Sequence, residues 1–227
     1  PQRARNRTAR ELLDRGAERI GTAFKDDPQA RASILEWLGS MYYQLGLKAQ
    51  AAQLLQQRAD AVAAAGGGAA AYADALLRHL DALSDGPSPP DRAAAIARVR
   101  QVLDAAPEPL PAQRAELAMQ EAVFFIDISL AQALAAAKQA VAIGSSLPDE
   151  QRDIINGLRF LSRSQLRAGD FRQAEATLRE ALDQAARRPA GADAWRVSLL
   201  RSIADMHRVQ GHFPAALNAA AEAERIS

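Results

Sequence analysis

Leu158 to Ala186 reads LRFLSRSQLRAGDFRQAEATLREALDQAA, and its centre, Gly169-Asp170-Phe171, decides the fold. Leu158 to Ala168 and Gln173 to Ala186 carry helix-forming residues, and a glycine turn joins them. Two long helices linked this tightly must lie antiparallel. The unit returns as Trp195 to Gln210, Gly211-His212-Phe213, and Ala215 to Glu224. Earlier, Asp27-Pro28 supplies a cap and a first-turn proline for a helix ending at Gly46, and Lys48 to Ala65 follows before Gly66-Gly67-Gly68. Ala112 to Asp127 with Leu130 to Ile143 forms a hairpin that has Ile128-Ser129 where the others have glycine. Ala69 to Ser84 joins Arg92 to Ala105 through an expanded turn, Asp85-Gly86-Pro87-Ser88-Pro89-Pro90.

The turn positions Gly46, Gly86, Ile128, Gly169 and Gly211 are separated by 40, 42, 41 and 42 residues. Five hairpins on one period predict an all-α repeat array, in which each unit buries its apolar face against its neighbours. The hairpins are expected at about 28–65, 69–106, 111–144, 150–187 and 193–226, within a single domain over 8–227. Thr8-Ala9-Arg10-Glu11 has the capping-box form, and Leu13, Ala17, Ile20 and Phe24 follow at helical spacing, so a leading helix is expected over 8–25. The arm 1–7, with Arg3, Arg5 and Arg7, is expected to be disordered.

Composition agrees with helices. The 227 residues are 48% hydrophobic, 24% charged and only 5% aromatic, rich in Ala and poor in β-branched residues. A net charge of +1 gives no global field to attract nucleic acid or anionic lipid. Of the 28 basic residues only Lys25, Lys48 and Lys138 are lysine. The absence of cysteine removes disulfides, thiolate metal sites and cysteine nucleophiles. The sequence starts at Pro1 without an initiator Met or a signal peptide, which reads as an excised piece, and no apolar run approaches the length of a membrane span.

Leu38-Gly39, Leu161-Ser162 and Ile203-Ala204 precede their turn glycines by seven or eight residues, and Ala51, Ala174 and Ala216 follow by five. This pattern resembles the tetratricopeptide (TPR) motif. The resemblance implies a right-handed superhelical solenoid in which small residues let paired helices approach, while Tyr42, Leu55, Phe171, Leu178 and Phe213 fill the gaps. The period exceeds the 34 residues of the standard repeat, so each helix is expected to be about a turn longer.

A narrower resemblance runs from Thr8 to Ile20 (TARELLDRGAERI), through Asp27 to Ala32 (DPQARA), to Leu38 to Leu47 (LGSMYYQLGL). These residues, within 8–55, look like the TPR region of bacterial serine/threonine protein kinases. Such kinases commonly carry a cytoplasmic catalytic domain, a transmembrane helix and then this region outside the cytoplasmic membrane. The resemblance therefore implies a regulatory, extracytoplasmic (periplasmic) sensor or scaffold on a membrane-anchored parent. The alternatives are a cytoplasmic TPR module of another regulator, such as a transcription factor or cyclase, and a small-molecule sensor. None of the kinase parts occurs in the chain: no G-x-G-x-x-G loop, no H-R-D and no D-F-G.

No other chemistry stands out, and neither cofactor, metal nor catalytic residue is expected. His79, His207 and His212 lie in no metal-ligand pattern, and His207 reads as interhelical packing. Gly66-Gly67-Gly68 lacks the Lys-Ser/Thr of a phosphate cradle and reads as a flexible connector. Acidic residues such as Asp91, Asp149, Glu150 and Asp170 suit helix starts.

In TPR arrays the first helix of each hairpin lines the concave groove. The turn offset then places Glu36, Ser40, Tyr43 and Gln44 there at the amino end, and Leu76, Leu80, Ala118, Ala122 and Phe125 in an apolar middle, where the surroundings of Leu80, Phe124 and Phe125 are the place for a small molecule if the chain senses one. Arg159, Arg163, Leu166-Arg167, Arg201, Asp205 and Arg208 fall toward the carboxyl end. Arg159, Arg163 and Arg167, at i, i+4 and i+8, stack on one helix face and are suited to clamping a carboxylate or phosphate; the alternative is a solvated face balanced by Asp153 and Asp205. The expected partner is a protein or an acidic peptide, with self-association a further possibility, and neither nucleic acid nor membrane insertion by this segment.

Overall fold

The computed structural model describes residue 24 and residues 26–84, 89–148, 154–187 and 192–226. The arm 1–7, the leading helix up to residue 23, the turn at 85–88, and Asp149, Glu150 and Asp153 lie outside the described residues. Ten α-helices and no strand occur among those described. They are α1 (Pro28–Gln44), α2 (Lys48–Ala64), α3 (Ala69–Ala82), α4 (Pro89–Ala105), α5 (Pro111–Phe125), α6 (Leu130–Ser146), α7 (Ile154–Arg167), α8 (Phe171–Ala186), α9 (Ala192–Val209) and α10 (Phe213–Ile226). No helix among the described residues is long and apolar enough to cross a membrane.

Local chemistry sets the ends of the helices. Asp27 caps α1, its Oδ1 accepting the Ala30 N–H at 2.9 Å, and Pro28 sits at the first position, where its missing N–H costs nothing. Asp170 caps α8 likewise, through the Gln173 N–H at 3.2 Å. At each glycine turn the chain closes the preceding helix with the same pair of backbone bonds. Gly46 N–H donates to Tyr43 O and Leu47 N–H to Tyr42 O; Gly169 to Leu166 O and Asp170 to Gln165 O; Gly211 to Arg208 O and His212 to His207 O. This closure requires a left-handed residue, and the three glycines have φ of 75°, 76° and 76°. The turn between α5 and α6 dispenses with glycine: Ile128 and Ser129 N–H both donate to Phe125 O, and no residue there has positive φ.

The glycine triplet after α2 is a built connector. Gly66 takes φ of 69°, and a Cβ on Gly67 would stand 2.7 Å from Val62 Cγ1 and 2.9 Å from Val62 O. Residues there are held by turn geometry, where the sequence suggested flexibility.

The chain forms two compact units, Pro1–Gln113 and Arg114–Ser227. In the first, α1 packs on α2, α2 on α3, and α3 on α4. Leu35, Leu38 and Tyr42 of α1 meet Ala51, Leu54 and Leu55 of α2, and each fully buried leucine contributes roughly 1.5–3 kcal/mol. A Cβ on Gly39 would lie 2.8 Å from Leu55 Cγ, so the small residue seven before the turn does set the helix approach. In the second unit α6 packs on α7, α7 on α8, α8 on α9, and α9 on α10. Ile155, Leu158, Ala174, Leu178, Leu199 and Met206 form its main core, and Phe171 packs against them. Phe213, two residues after its own glycine like Phe171, is instead 67% exposed, because no described helix covers the outer face of α10.

Candidate functional site

The residues expected to line one groove are placed in several different settings. Glu36 is half-buried and accepts a charge-assisted bond from Arg58 Nη2 at 3.0 Å. Tyr43 is half-buried, with Lys48 Nζ 5.3 Å from its ring centroid. Burial, and then the hydrogen-bonded Asp81 carboxylate, push its phenol pKa up. Ser40 and Gln44 are exposed. In the second unit Arg159 folds along its own helix, donating to Asn156 Oδ1 at 3.1 Å with its guanidinium 4.9 Å from the Phe160 centroid. Arg167 pairs with Asp127 in the turn before α6, and Arg208 with Asp205 at 3.3 Å. Arg163 and Arg201 are exposed. The arginine stripe therefore keeps its helical spacing, but two of its three members are turned to partners within the protein.

The apolar middle of the expected groove is not a surface. Leu76 and Leu80 are 2% and 0% exposed, and Ala118 and Ala122 are buried as well. Helix α3 is packed by α2 on one side and α4 on the other, and Ala122 sits with Ala136, Ala137 and Leu161, so these residues are core. Phe124 and Phe125 are half-buried and meet edge to face at 5.1 Å.

The first unit carries a concavity elsewhere. A solvent-open trough of about 1010 Å³ runs between the second helices α2 and α4, with α3 beneath it. It is unfilled because the residues flanking it are small: Ala49 and Ala52 on α2, Ala94 and Ala95 on α4. Leu76, Ala82 and Leu83 supply the apolar floor. Gln50, Gln53, Gln56 and Gln57 run along α2, and Asp91 and Arg98 stand on α4.

His79 is the one histidine lining the trough. Its Nδ1 lies 2.9 Å from Ala52 O, and because a carbonyl only accepts, Nδ1 carries the proton. Burial pushes the imidazole pKa below its ordinary value, against the opposing pull of that hydrogen bond and of Asp60 and Asp91. The ring is thus neutral at pH 7, with Nε2 left as an acceptor. Both cations at the rim are engaged by phenols: Lys48 over Tyr43, and Arg98 Nε donating to Tyr72 Oη at 3.0 Å. Beside Asp91 at one end of the trough Arg92, 8% exposed, donates to Ser84 O at 3.3 Å; burial pushes its pKa down, and Asp81 opposes that shift. Tyr43, Asp81 and Arg92 thereby tie α1, α3 and α4 together at that end. Among the described residues no three metal-ligating side chains cluster.

The turn offset misses the trough because it places the groove on the first helix of each hairpin. The available signal was alanine at facing positions together with four glutamines between residues 50 and 57.

No family model matches the chain. No curated protein matches it either. Among solved structures, BtubC (BKLC) from P. vanneervenii superposes with a TM-score of 0.61 at 19% identity, covering 79% of this chain and 73% of that one. A Podosopora anserina protein with kinesin light chain, nearly identical TPR-like repeats aligns over 99% of this chain and 93% of its own, at 16% identity and a TM-score of 0.42. The fold is TPR-like. Within this TPR-like chain, the glycine-closed hairpins and the small residues before each turn are the repeat's recurring parts.

Proposed function

We propose that this chain is a non-catalytic protein- or peptide-binding module that holds its partner in the trough over α2, α3 and α4. The observation that carries the reading is the trough itself: an apolar floor with a polar rim, open to solvent along its length, on a fold built for interaction. The resemblance over residues 8–55 extends it. The module serves as the sensor or scaffold region of a membrane-anchored bacterial serine/threonine kinase, on the extracytoplasmic side, and biases the kinase when the partner binds.

Filling the trough tests the binding site. Ala49 and Ala94 are exposed on opposite walls, so Ala49→Trp with Ala94→Trp occupies the space without disturbing the core. The double variant is expected to lose partner binding more than tenfold at unchanged helicity, whereas Arg163→Ala with Arg201→Ala leaves it intact. The reverse pattern refutes the trough and favours the arginine face. The kinase context is tested by the coding sequence preceding Pro1: catalytic kinase motifs followed by an apolar stretch of about 20 residues support it, and their absence sinks it.

A further inference from the structure

The chemistry of the trough narrows what fits it. A site for an acidic ligand presents unengaged cations, but Lys48 and Arg98 are turned to Tyr43 and Tyr72, and Asp91 stands on the same wall as Arg98. Glutamine dominates the opposite wall. Each carboxamide both donates and accepts, matching the paired N–H and C=O of a main chain, and carries no charge to select a charged side chain. A helical partner has its main-chain groups satisfied internally and offers nothing to such a row, whereas an extended segment leaves them unpaired. Lys48 to Gln57 spans about 14 Å at helical rise, the length of roughly four extended residues.

His79 adds a directional element. With Nδ1 committed to Ala52 O, the only function its ring has left for the trough is acceptance at Nε2. The charged groups on the elements packed about it are Lys48, Arg58 and Asp60 on α2, Asp74, Arg78 and Asp81 on α3 itself, and Asp91, Arg92, Arg98, Arg100 and Asp104 on α4; Asp60 and Asp91 are the ones that favour its charged form. Asp60 is already engaged as acceptor for Gln56 Nε2 at 3.0 Å.

Resting on the reading of the trough as the partner site, we infer that it takes an uncharged extended peptide segment, with the α2 glutamines bonding its main chain and His79 Nε2 accepting one of its N–H groups, and that acidification releases it. Protonation turns Nε2 from acceptor to donor, so it opposes the segment's N–H and places a cation over an apolar floor. Because burial lowers the pKa of His79, release occurs below the ordinary histidine value of about 6.5.

The test uses the whole 227-residue chain and three immobilised sets of synthetic octapeptides. One is randomised over Ser, Thr, Asn, Gln, Gly and Ala, one has Asp or Glu at half its positions, and one repeats the first with N-methylated main-chain amides. Retention by the uncharged set is expected to exceed both others about tenfold near pH 7.5, and to fall about tenfold near pH 5, with circular dichroism confirming that the chain stays folded. His79→Gln is expected to reduce that pH dependence to less than about twofold. Equal retention by the acidic or N-methylated set, retention by none, or an undiminished pH dependence in His79→Gln overturns the inference. If the acidic set binds and Ala49→Trp with Ala94→Trp abolishes it, the trough survives as the partner site and only this chemistry fails. If the tryptophan variant leaves partner binding unchanged, the site itself is refuted.

Discussion

Helices α2 and α8 occupy the same place in their hairpins, each beginning just after a left-handed glycine, yet they present different outer faces. Three residues after the glycine stand Ala49 and Arg172; seven after, Gln53 and Ala176; ten after, Gln56 and Arg179. Their inner faces agree, with Ala51 and Ala174 fully buried and Leu55 and Leu178 in the core. Where α8 carries Arg172 and a Glu175–Arg179 ion pair on its surface, α2 offers alanine and glutamine, and the trough is the space left over. Repeat packing is thus specified by the inner positions, while the outer ones are free to make or fill a site.

The first helices differ as instructively. Four residues before the glycine, α1 buries Tyr42 and α7 buries Gln165, whose Oε1 has no hydrogen-bond partner among the described residues. Tyr42→Ala is expected to show the largest effect, a loss of about 3–5 kcal/mol seen in chemical denaturation of the first unit. Gly169→Ala forces a Cβ into the left-handed region and costs about 1–2 kcal/mol, measurable as a lowered Tm, and Gly46→Ala should match it. Gln165→Met removes the unsatisfied oxygen and is expected to raise the stability of the second unit by about 1 kcal/mol, read as a higher denaturation midpoint.

The pH response separates the units further. Folded His79 has a lowered pKa, so the unfolded chain binds more protons as pH falls through 6.5, and the stability contributed by its neutral form is lost toward acid. His79→Asn, which keeps a donor for Ala52 O, should flatten that decline in a denaturation series across pH 5–7. Smallest of all, Arg208→Ala breaks only an exposed i, i+3 pair and should shift stability by less than about 0.5 kcal/mol.

The hairpins were legible in the sequence because their determinants are local. A cap at Asp27, a glycine that must adopt positive φ, and Gly39 opposite Leu55 each announce themselves within a few residues. Helix α6, which runs on to Ser146, exceeds the expected end at Ile143 because Ser145 and Ser146 hydroxyls bond back to Val141 O and Ile143 O. The surface was less legible, since exposure depends on residues far apart in the chain. Leu80 has the spacing of a groove residue and is enclosed by α2 and α4; Arg159 and Arg167 share a helix face, but Asn156, Phe160 and Asp127 decide where their guanidinium groups go. The trough needed three helices brought together before facing alanines became a space.

A photo-crosslinking amino acid placed singly at Gln53, Ala94, Arg163 or Arg201 of the intact chain, exposed to its native cell extract, tests the central claim most directly. Crosslinks to a common partner from positions 53 and 94, and none from 163 and 201, are the predicted result. Crosslinks confined to 163 and 201 would contradict it.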